Sequence, residues 1–202
     1  MATTTEPSVH RLFIAISAPD VVKVEIEKVQ NKLRHLLPDG SVRWTRPEHF
    51  HLTLQFLGNV LTDRTGELTE RLRFACCNIA ALKVRAECIG FFPERGFPRV
   101  IWTAVTDKDR QLAVLQCAIQ SATQQFTSEP AEKEFAGHIT LGRAKRINRQ
   151  EANILANFAT KMHMRIFGEW EVRHVELFRS ELLPEGPRHT IVAAIPLGGK
   201  IN

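Results

Sequence analysis

Two short segments of the chain repeat one pattern of residues, in which a threonine follows a histidine at the second position. They are residues 51–54 and 138–141, and both read His-apolar-Thr-Leu. Residues two apart in a β-strand lie on the same face, so each segment predicts an imidazole beside a hydroxyl. Two such strands that face one space would bring together two imidazoles and two hydroxyls.

This set of groups suits attack at a phosphorus atom. One neutral imidazole accepts a proton from water, and the other, protonated, donates a proton to the departing alkoxide. The hydroxyls of Thr53 and Thr140 donate hydrogen bonds to the non-bridging oxygens. In-line attack requires the imidazoles to flank the phosphorus. We assign His138 as the base and His51 as the acid, although no feature of the sequence separates the two roles, and the chemistry needs no metal or other cofactor.

A third group is needed for the charge that builds on the phosphoryl oxygens, and Arg143 is the candidate. It lies five residues after His138, an odd offset that puts it on the opposite face of a regular strand. The role therefore requires a bulge or a strand end, and Gly142 is the expected place for it. The alternative is that Arg143 is a solvated surface residue.

Other basic and aromatic residues are candidates for contacts with the phosphates and bases of nucleotides. They are Arg43, Trp44, Arg46, Arg95 and Phe97 in predicted loops, and Lys145 and Arg146 after the second segment. Core packing is the alternative for Trp44, and a solvated helix start is the alternative for the last two residues.

Hydrophobic periodicity predicts the elements that position these residues. Strands are expected at residues 11–16, 51–57, 83–91, 99–104, 138–144, 170–178 and 190–197, and helices at residues 21–37, 62–80, 108–126 and 149–161. Period-two alternation in the strand at 51–57 places Leu52, Leu54 and Phe56 in the core. It leaves His51, Thr53 and Gln55 on the other face.

The elements follow the same order in both halves of the chain, which indicates an internal duplication. We predict an α+β fold for residues 1–202, a single domain of two duplicated lobes at roughly 10–91 and 99–197. The lobes are expected to be related by an approximate two-fold axis, with two antiparallel sheets lining a central cleft and helices outside. Residues 1–9 form a polar extension that we expect to be disordered.

Composition limits the class of protein. The 202 residues are 44% hydrophobic and 24% charged, as in one globular domain, and the formal net charge of +5 suits an anionic partner. No run approaches the ~18 apolar residues of a membrane span, and the start lacks a secretory signal, so a cytoplasmic monomer without a membrane partner is expected. The four cysteines lack metal-binding spacing, which favours buried free thiols.

The sequence around both segments resembles the two-histidine phosphoesterase superfamily and, within it, the RNA 2′,3′-cyclic phosphodiesterase family, also called 2′-5′ RNA ligase. The resemblance runs over residues 11–197 and rests on RLFIAI, RWTRPEHFHLTLQFLG, PRVIWTAV, FAGHITLGRAK and VELFRSELLPEGPRHT. It implies a bilobal fold around a cleft and metal-independent opening of 2′,3′-cyclic phosphate RNA ends to 2′-phosphates. It also implies reversible 2′-5′ joining of RNA.

Carried over by position, the resemblance implies that the two family histidines are His51 and His138, and that phosphate is bound by Thr53, Thr140 and Arg143. One departure is the charged segment 130–134, where members often carry an aromatic-proline stretch.

Three alternatives stay open. One is a non-catalytic RNA-binding module, and another is a phosphodiesterase for a small cyclic nucleotide or ADP-ribose cyclic phosphate. The third is a metallohydrolase that uses His49, His51 and His138. The other histidines are interpreted as surface or structural residues: His10, His35, His163, His174 and His189.

Overall fold

The computed structural model describes residues 8–94, 96–130 and 134–198. Within these ranges the chain forms four α-helices and nine β-strands, connected in places by 3₁₀ turns. The elements are β1 Val9–Ser17, α1 Asp20–Leu36, β2 Val42–Trp44, β3 His51–Leu61, α2 Thr65–Cys76, β4 Leu82–Phe92, β5 Val100–Thr106, α3 Gln111–Thr123, β6 His138–Ala144, α4 Arg149–Met162, β7 Ile166–Val172, β8 His174–Leu183 and β9 Gly186–Pro196.

The strands form one curved antiparallel sheet in the order β7-β4-β5-β6-β3-β1-β8-β9, and β2 pairs with the end of β6. The α+β class and the antiparallel pairing agree with the prediction from the sequence. The two expected sheets are two halves of this single sheet, and β3 joins β6 through one pair, Leu52 with Ile139. The histidine-bearing strands therefore lie next to each other at the centre.

The two half-sheets do not coincide with the predicted lobes at residues 10–91 and 99–197. Strand β4 belongs to the first repeat but pairs with β5 and β7, whereas β8, from the second repeat, pairs with β1. Each half-sheet thus contains strands from both repeats. A period-two pattern tells which face a residue occupies and not which strand lies beside it, so the exchange could not be predicted.

Several element boundaries also differ from expectation. The strand predicted at residues 170–178 is two strands, β7 and β8, interrupted at Arg173. The helix predicted at residues 62–80 is a 3₁₀ turn followed by α2, which ends at Cys76. The predicted disorder at residues 1–9 does not extend to its last two residues, because Val9 pairs with Leu61 and Ser8 accepts hydrogen bonds from Thr62. Residues 1–7 lie outside the described ranges.

The hydrophobic core lies between the sheet and the helices. On α1, the apolar stripe Val22, Ile26, Val29 and Leu33 is buried as predicted, while Leu36, at the end of the stripe, is 47% exposed. Burial of each such aliphatic side chain contributes about 1.5–3 kcal/mol. The core thus holds one face of the sheet and leaves the other face free to form a site.

In the ranges that the structure describes, no helix has the length and apolar character needed to cross a bilayer. All four cysteines are free, but the expected burial holds for Cys76 alone: Cys77 and Cys88 are partly exposed and Cys117 is exposed.

Candidate active site

The face of the sheet opposite the core forms a cleft of about 1370 Å³. The structure places all five predicted catalytic and phosphate-binding residues along it: His51, Thr53, His138, Thr140 and Arg143. Because β3 and β6 are neighbouring strands, their period-two faces present both His-Thr pairs to the same space.

The imidazole of His138 is held by the backbone two residues before it. Its Nδ1 lies 2.7 Å from the carbonyl oxygen of Ala136. A carbonyl partner accepts a hydrogen bond from the ring, so this nitrogen carries the proton of the neutral imidazole. The other nitrogen, Nε2, is then left for proton transfer.

A bulge in β6 lets Arg143 face the cleft although it lies an odd number of residues after His138. Thr140 and Gly142 face consecutive residues of β5, so Leu141 between them is an extra residue. Leu141 and Gly142 are both buried, and Arg143 emerges on the cleft side. The bulge that the sequence required is present, one residue before the expected position.

Strand β3 carries a matching bulge, which overturns part of the sequence prediction. Leu54 is the extra residue there, between Thr53 and Gln55 in the pairing with β1. Gln55, expected on the cleft face, is only 7% exposed, whereas Phe56, expected in the core, is 56% exposed and lines the cleft. A bulge of this kind reverses the inside–outside alternation of the residues that follow it, here as far as a second bulge at Leu57.

The two bulges make the ends of the cleft chemically different. Phe56 follows His51 at the same distance as Arg143 follows His138, so an aromatic ring occupies the place of a guanidinium. Because β3 and β6 are antiparallel, these two residues lie toward opposite ends of the cleft. Arg43 and Arg46 line the cleft near Arg143, which makes that end basic.

The ring of His51 lies in an apolar and weakly basic environment. Its centroid is 5.0 Å from that of Phe13 and 5.5 Å from that of His189. Burial, followed by the proximity of His189, His49 and His138, lowers the pKa of His51 to about 3. His51 is therefore neutral at pH 7.

His189 is a site residue that the sequence interpretation missed. The sequence interpretation made it a surface or structural residue, but it lines the cleft on β9, and its ring centroid is 4.6 Å from that of His49. Burial and the neighbouring His49 lower the pKa of His189 to about 4. Its place depends on the pairing of β8 with β1, so the only sequence signal was its position within the family-like segment VELFRSELLPEGPRHT.

His49 lies in the 3₁₀ turn Pro47–His49 and not on the strand face of His51, as the metallohydrolase alternative assumed. Among residues 8–94, 96–130 and 134–198, no group of three or more His, Cys, Asp or Glu is arranged to hold a metal ion.

The remaining predicted RNA contacts divide into two groups. Arg43, Trp44 and Arg46 line the cleft. Trp44 is also partly buried against the core, as its alternative role predicted, and Arg34 lies over its ring at 5.7 Å. Three residues are placed by the structure outside the cleft lining: Phe97, Lys145 and Arg146. Arg95 lies outside the described residues.

The ring of His138 packs edge-on against Phe92, with ring centroids 5.1 Å apart, and lies near Trp102. Trp102 fits there because Gly90 has no side chain, since a Cβ at this position would lie 2.2 Å from the indole. We expect Gly90→Ala to lower the free energy of unfolding by about 1–3 kcal/mol through overpacking, as measured by urea denaturation. Activity should fall as well, because the displaced indole adjoins His138.

Gly66→Ala is the matched control, since Gly66 lies in α2 with nothing within 4 Å of the added methyl group. It should be neutral or slightly stabilising. Equal stability of the two variants would contradict the packing argument.

Comparison with known proteins agrees with the site. The sequence model of the LigT-like phosphoesterase family matches residues 16–102 and 105–189, and each match contains one His-x-Thr-Leu segment. An RNA 2′,3′-cyclic phosphodiesterase of Archaeoglobus fulgidus is 33% identical over 177 residues, 88% of this chain and 94% of the relative. A relative of the same name from Methanocaldococcus jannaschii is 28% identical, covering 90% of this chain and 98% of the relative.

Solved structures share the fold. The crystal structure of the Thermus thermophilus protein TT0787 is 27% identical with a TM-score of 0.76, covering 95% of this chain and 100% of that one. E. coli LigT complexed with 3′-AMP has a TM-score of 0.75 at 20% identity, again covering 95% of this chain and 100% of that one. The latter likeness concerns the fold alone.

Proposed function

Because the chain belongs to the LigT-like phosphoesterase family, we propose that it is an RNA 2′,3′-cyclic phosphodiesterase that opens cyclic phosphate ends to 2′-phosphates. The observation that carries the proposal is the convergence of both His-Thr pairs on one cleft, in which the backbone carbonyl of Ala136 holds the ring of His138. Both pairs come from one chain, which supports a monomer as the active unit. A cytoplasmic location, expected from the sequence, belongs to the same proposal.

The electrostatics of the cleft favour a division of labour opposite to our first assignment. His51, with its low pKa, is neutral at pH 7, so it has a nitrogen free to accept a proton from water and is not in the protonated form that an acid needs. His138, protonated, then donates a proton to the leaving oxygen. The sequence contained no feature that distinguishes the two roles, so the first assignment, with His138 as base and His51 as acid, had no support from it.

The proposed step conserves atoms and charge. The water oxygen forms a bond to phosphorus while the P–O3′ bond breaks; one proton moves from water to His51 Nε2, and one moves from His138 Nε2 to O3′. The phosphate remains on O2′, and exchange with solvent restores both rings. Arg143 and the hydroxyls of Thr53 and Thr140 bind the non-bridging oxygens throughout.

The same transfers explain a ligase activity. When a 5′-hydroxyl of RNA replaces water, its oxygen bonds to phosphorus, O3′ leaves, and the product is a 2′-5′ linkage. The reverse reaction exchanges the roles of the two histidines.

The test is incubation of the protein with an oligoribonucleotide that ends in a 2′,3′-cyclic phosphate, in excess EDTA, followed by identification of the product. We expect a 2′-phosphate. A 3′-phosphate would contradict the assumed leaving oxygen, and loss of activity in EDTA would support the metallohydrolase alternative. RNA binding that is independent of the terminal phosphate, without turnover, would support the non-catalytic RNA-binding module.

The low pKa of His51 predicts the pH dependence. Because this ring stays neutral down to about pH 3, kcat/KM, which reports the free enzyme, should lose no activity between pH 7 and pH 5 through protonation of the base. His189→Phe keeps the ring packing but removes a positive neighbour, so the acid limb should move to higher pH. An acid limb of the wild-type profile near 6.5, the ordinary value for histidine, would contradict the assignment of His51 as base.

A further inference from the structure

Two arginines face each other across a strand pair at the basic end of the cleft. Arg43 on β2 is directly opposite Arg143 on β6, and both are exposed. Directly opposite residues of an antiparallel pair have Cβ atoms only about 4.5–5.5 Å apart, and like charges at this spacing destabilise a sheet. The arrangement costs stability unless an anion binds between or beside the two guanidinium groups.

In the described part of the chain no carboxylate is paired with these two arginines, although Glu185 also lines the cleft. Within residues 8–94, 96–130 and 134–198, neither Arg43 nor Arg143 forms an ion pair with a carboxylate. By contrast, Arg188, which also lines the cleft, is held by Glu181 at 2.9 Å. The pair of opposed arginines is therefore available to an external ligand.

Arg43 also extends across the cleft. Its Nη2 atom lies 3.6 Å from where a Cβ on Gly186 would be, at the start of β9. The guanidinium of Arg43 thus spans the gap between β2 and the β8–β9 turn, while Arg143 points into the cleft from β6. A strand of nucleic acid that leaves the catalytic pair at this end must pass Arg43.

The other end of the cleft does not offer the same chemistry. Phe56 stands at the position equivalent to Arg143, and the Glu129 carboxylate lies 3.6 Å from where a Cβ on Gly58 would be. Arg11 also lines this end, on β1 opposite Asn59, but it shares the end with an aromatic ring and a carboxylate and is not opposite a second arginine. The end with Arg43 and Arg143 is therefore the stronger site for a second phosphate.

We propose that Arg43 forms a second phosphate site, beside Arg143, for the internucleotide phosphodiester on the 5′ side of the terminal nucleotide. This inference rests on the proposed function, in which Arg143 binds the reacting phosphate. The cyclic phosphate is the 3′ end of its strand, so its only neighbouring phosphate lies on the 5′ side of the same nucleoside. The substrate is then an oligoribonucleotide in preference to a cyclic mononucleotide that lacks a 5′-phosphate.

The test compares two forms of an adenylyl dinucleotide with a 2′,3′-cyclic phosphate end. One form has a normal internucleotide phosphodiester, and the other has an uncharged methylphosphonate in its place. A charge-assisted contact is worth about tenfold or more, so wild-type kcat/KM should be about tenfold higher for the charged form. Arg43→Gln should reduce this ratio to near one.

Arg11→Gln is the matched control, because Arg11 also lines the cleft but lies on β1 opposite Asn59, away from the arginine pair. It removes the same charge and should keep the wild-type ratio. Salt gives a second readout: the slope of log kcat/KM against log salt should be steeper for the charged form by roughly 0.7, the value for one phosphate of a single strand. Arg43→Gln should remove the difference in slope.

The outcomes separate this inference from the function on which it rests. Equal turnover of the two dinucleotides by the wild-type protein, or an unchanged ratio in Arg43→Gln, would overturn the second phosphate site while the phosphodiesterase stands. A ratio lost equally in Arg43→Gln and Arg11→Gln would also overturn it, since general charge attraction would then suffice. No turnover of either dinucleotide would contradict the proposed function itself.

Discussion

His51→Ala and His138→Ala are each expected to lower kcat for cyclic phosphate hydrolysis by about 10²–10⁴-fold, the contribution of one general acid or base. Both rings lie in the cleft and not in the main core, so the fold should persist. Circular dichroism and urea denaturation check the fold, and steady-state kinetics check the loss. Near-normal turnover by either variant would refute paired acid–base catalysis.

The two variants differ in how they respond to the leaving group. A substrate with sulfur in place of O3′ expels a thiolate, which needs no protonation, so His138→Ala should regain most of its activity on it. His51→Ala should remain slow, because water still has to be deprotonated. Recovery by His51→Ala alone would reverse the two roles.

The matched control is His163→Ala. His163 is exposed at the end of α4, where its Nδ1 lies 2.7 Å from the carbonyl oxygen of Thr160, and it is not among the residues that line the cleft. Like His138, it places Nδ1 beside a backbone carbonyl, but it does so outside the cleft. Activity close to that of the wild type is expected.

Arg143→Gln is expected to lower kcat/KM by about 10²–10³-fold, the range for loss of one donor that stabilises transition-state charge. Arg143→Lys should recover only part of this loss, because an ammonium cannot form two parallel bonds to a phosphoryl group. The inhibition constant of inorganic phosphate should rise in both variants.

The control for this charge change is Arg73→Gln, in which an arginine on the exposed face of α2 loses its pairing with Glu70. It should retain wild-type kcat/KM. If Arg143→Gln resembled this control, Arg143 would be a solvated surface residue, the alternative that its sequence position left open.

The sequence predicted the parts of the site that local periodicity determines. Strand β6 spans His138–Ala144 as expected, and the spacing of each His and its Thr places them on one face. The requirement for a bulge before Arg143 followed from its odd offset alone. These features depend on a few neighbouring residues, which the sequence displays directly.

The features that the sequence did not predict depend on contacts between distant segments. The bulge at Leu54 carries no glycine to mark it, so Phe56 was assigned to the core and Gln55 to the cleft. The exchange of β4 and β8 between half-sheets, and with it the position of His189, is a choice of strand neighbours that alternation does not encode. The assignment of His51 as the base also depends on contacts between distant segments, because burial and the imidazole of His189 lower the pKa of His51.

A crystal structure with a uridine–vanadate complex in the cleft tests most directly whether two imidazoles act on one phosphorus. We predict that Nε2 of His51 and Nε2 of His138 lie on opposite sides of the vanadium, each within about 2.6–3.2 Å of an apical oxygen. Arg143 should contact an equatorial oxygen. A complex in which only one ring reaches the vanadate, with the other turned into a separate space, would contradict paired catalysis at one phosphorus.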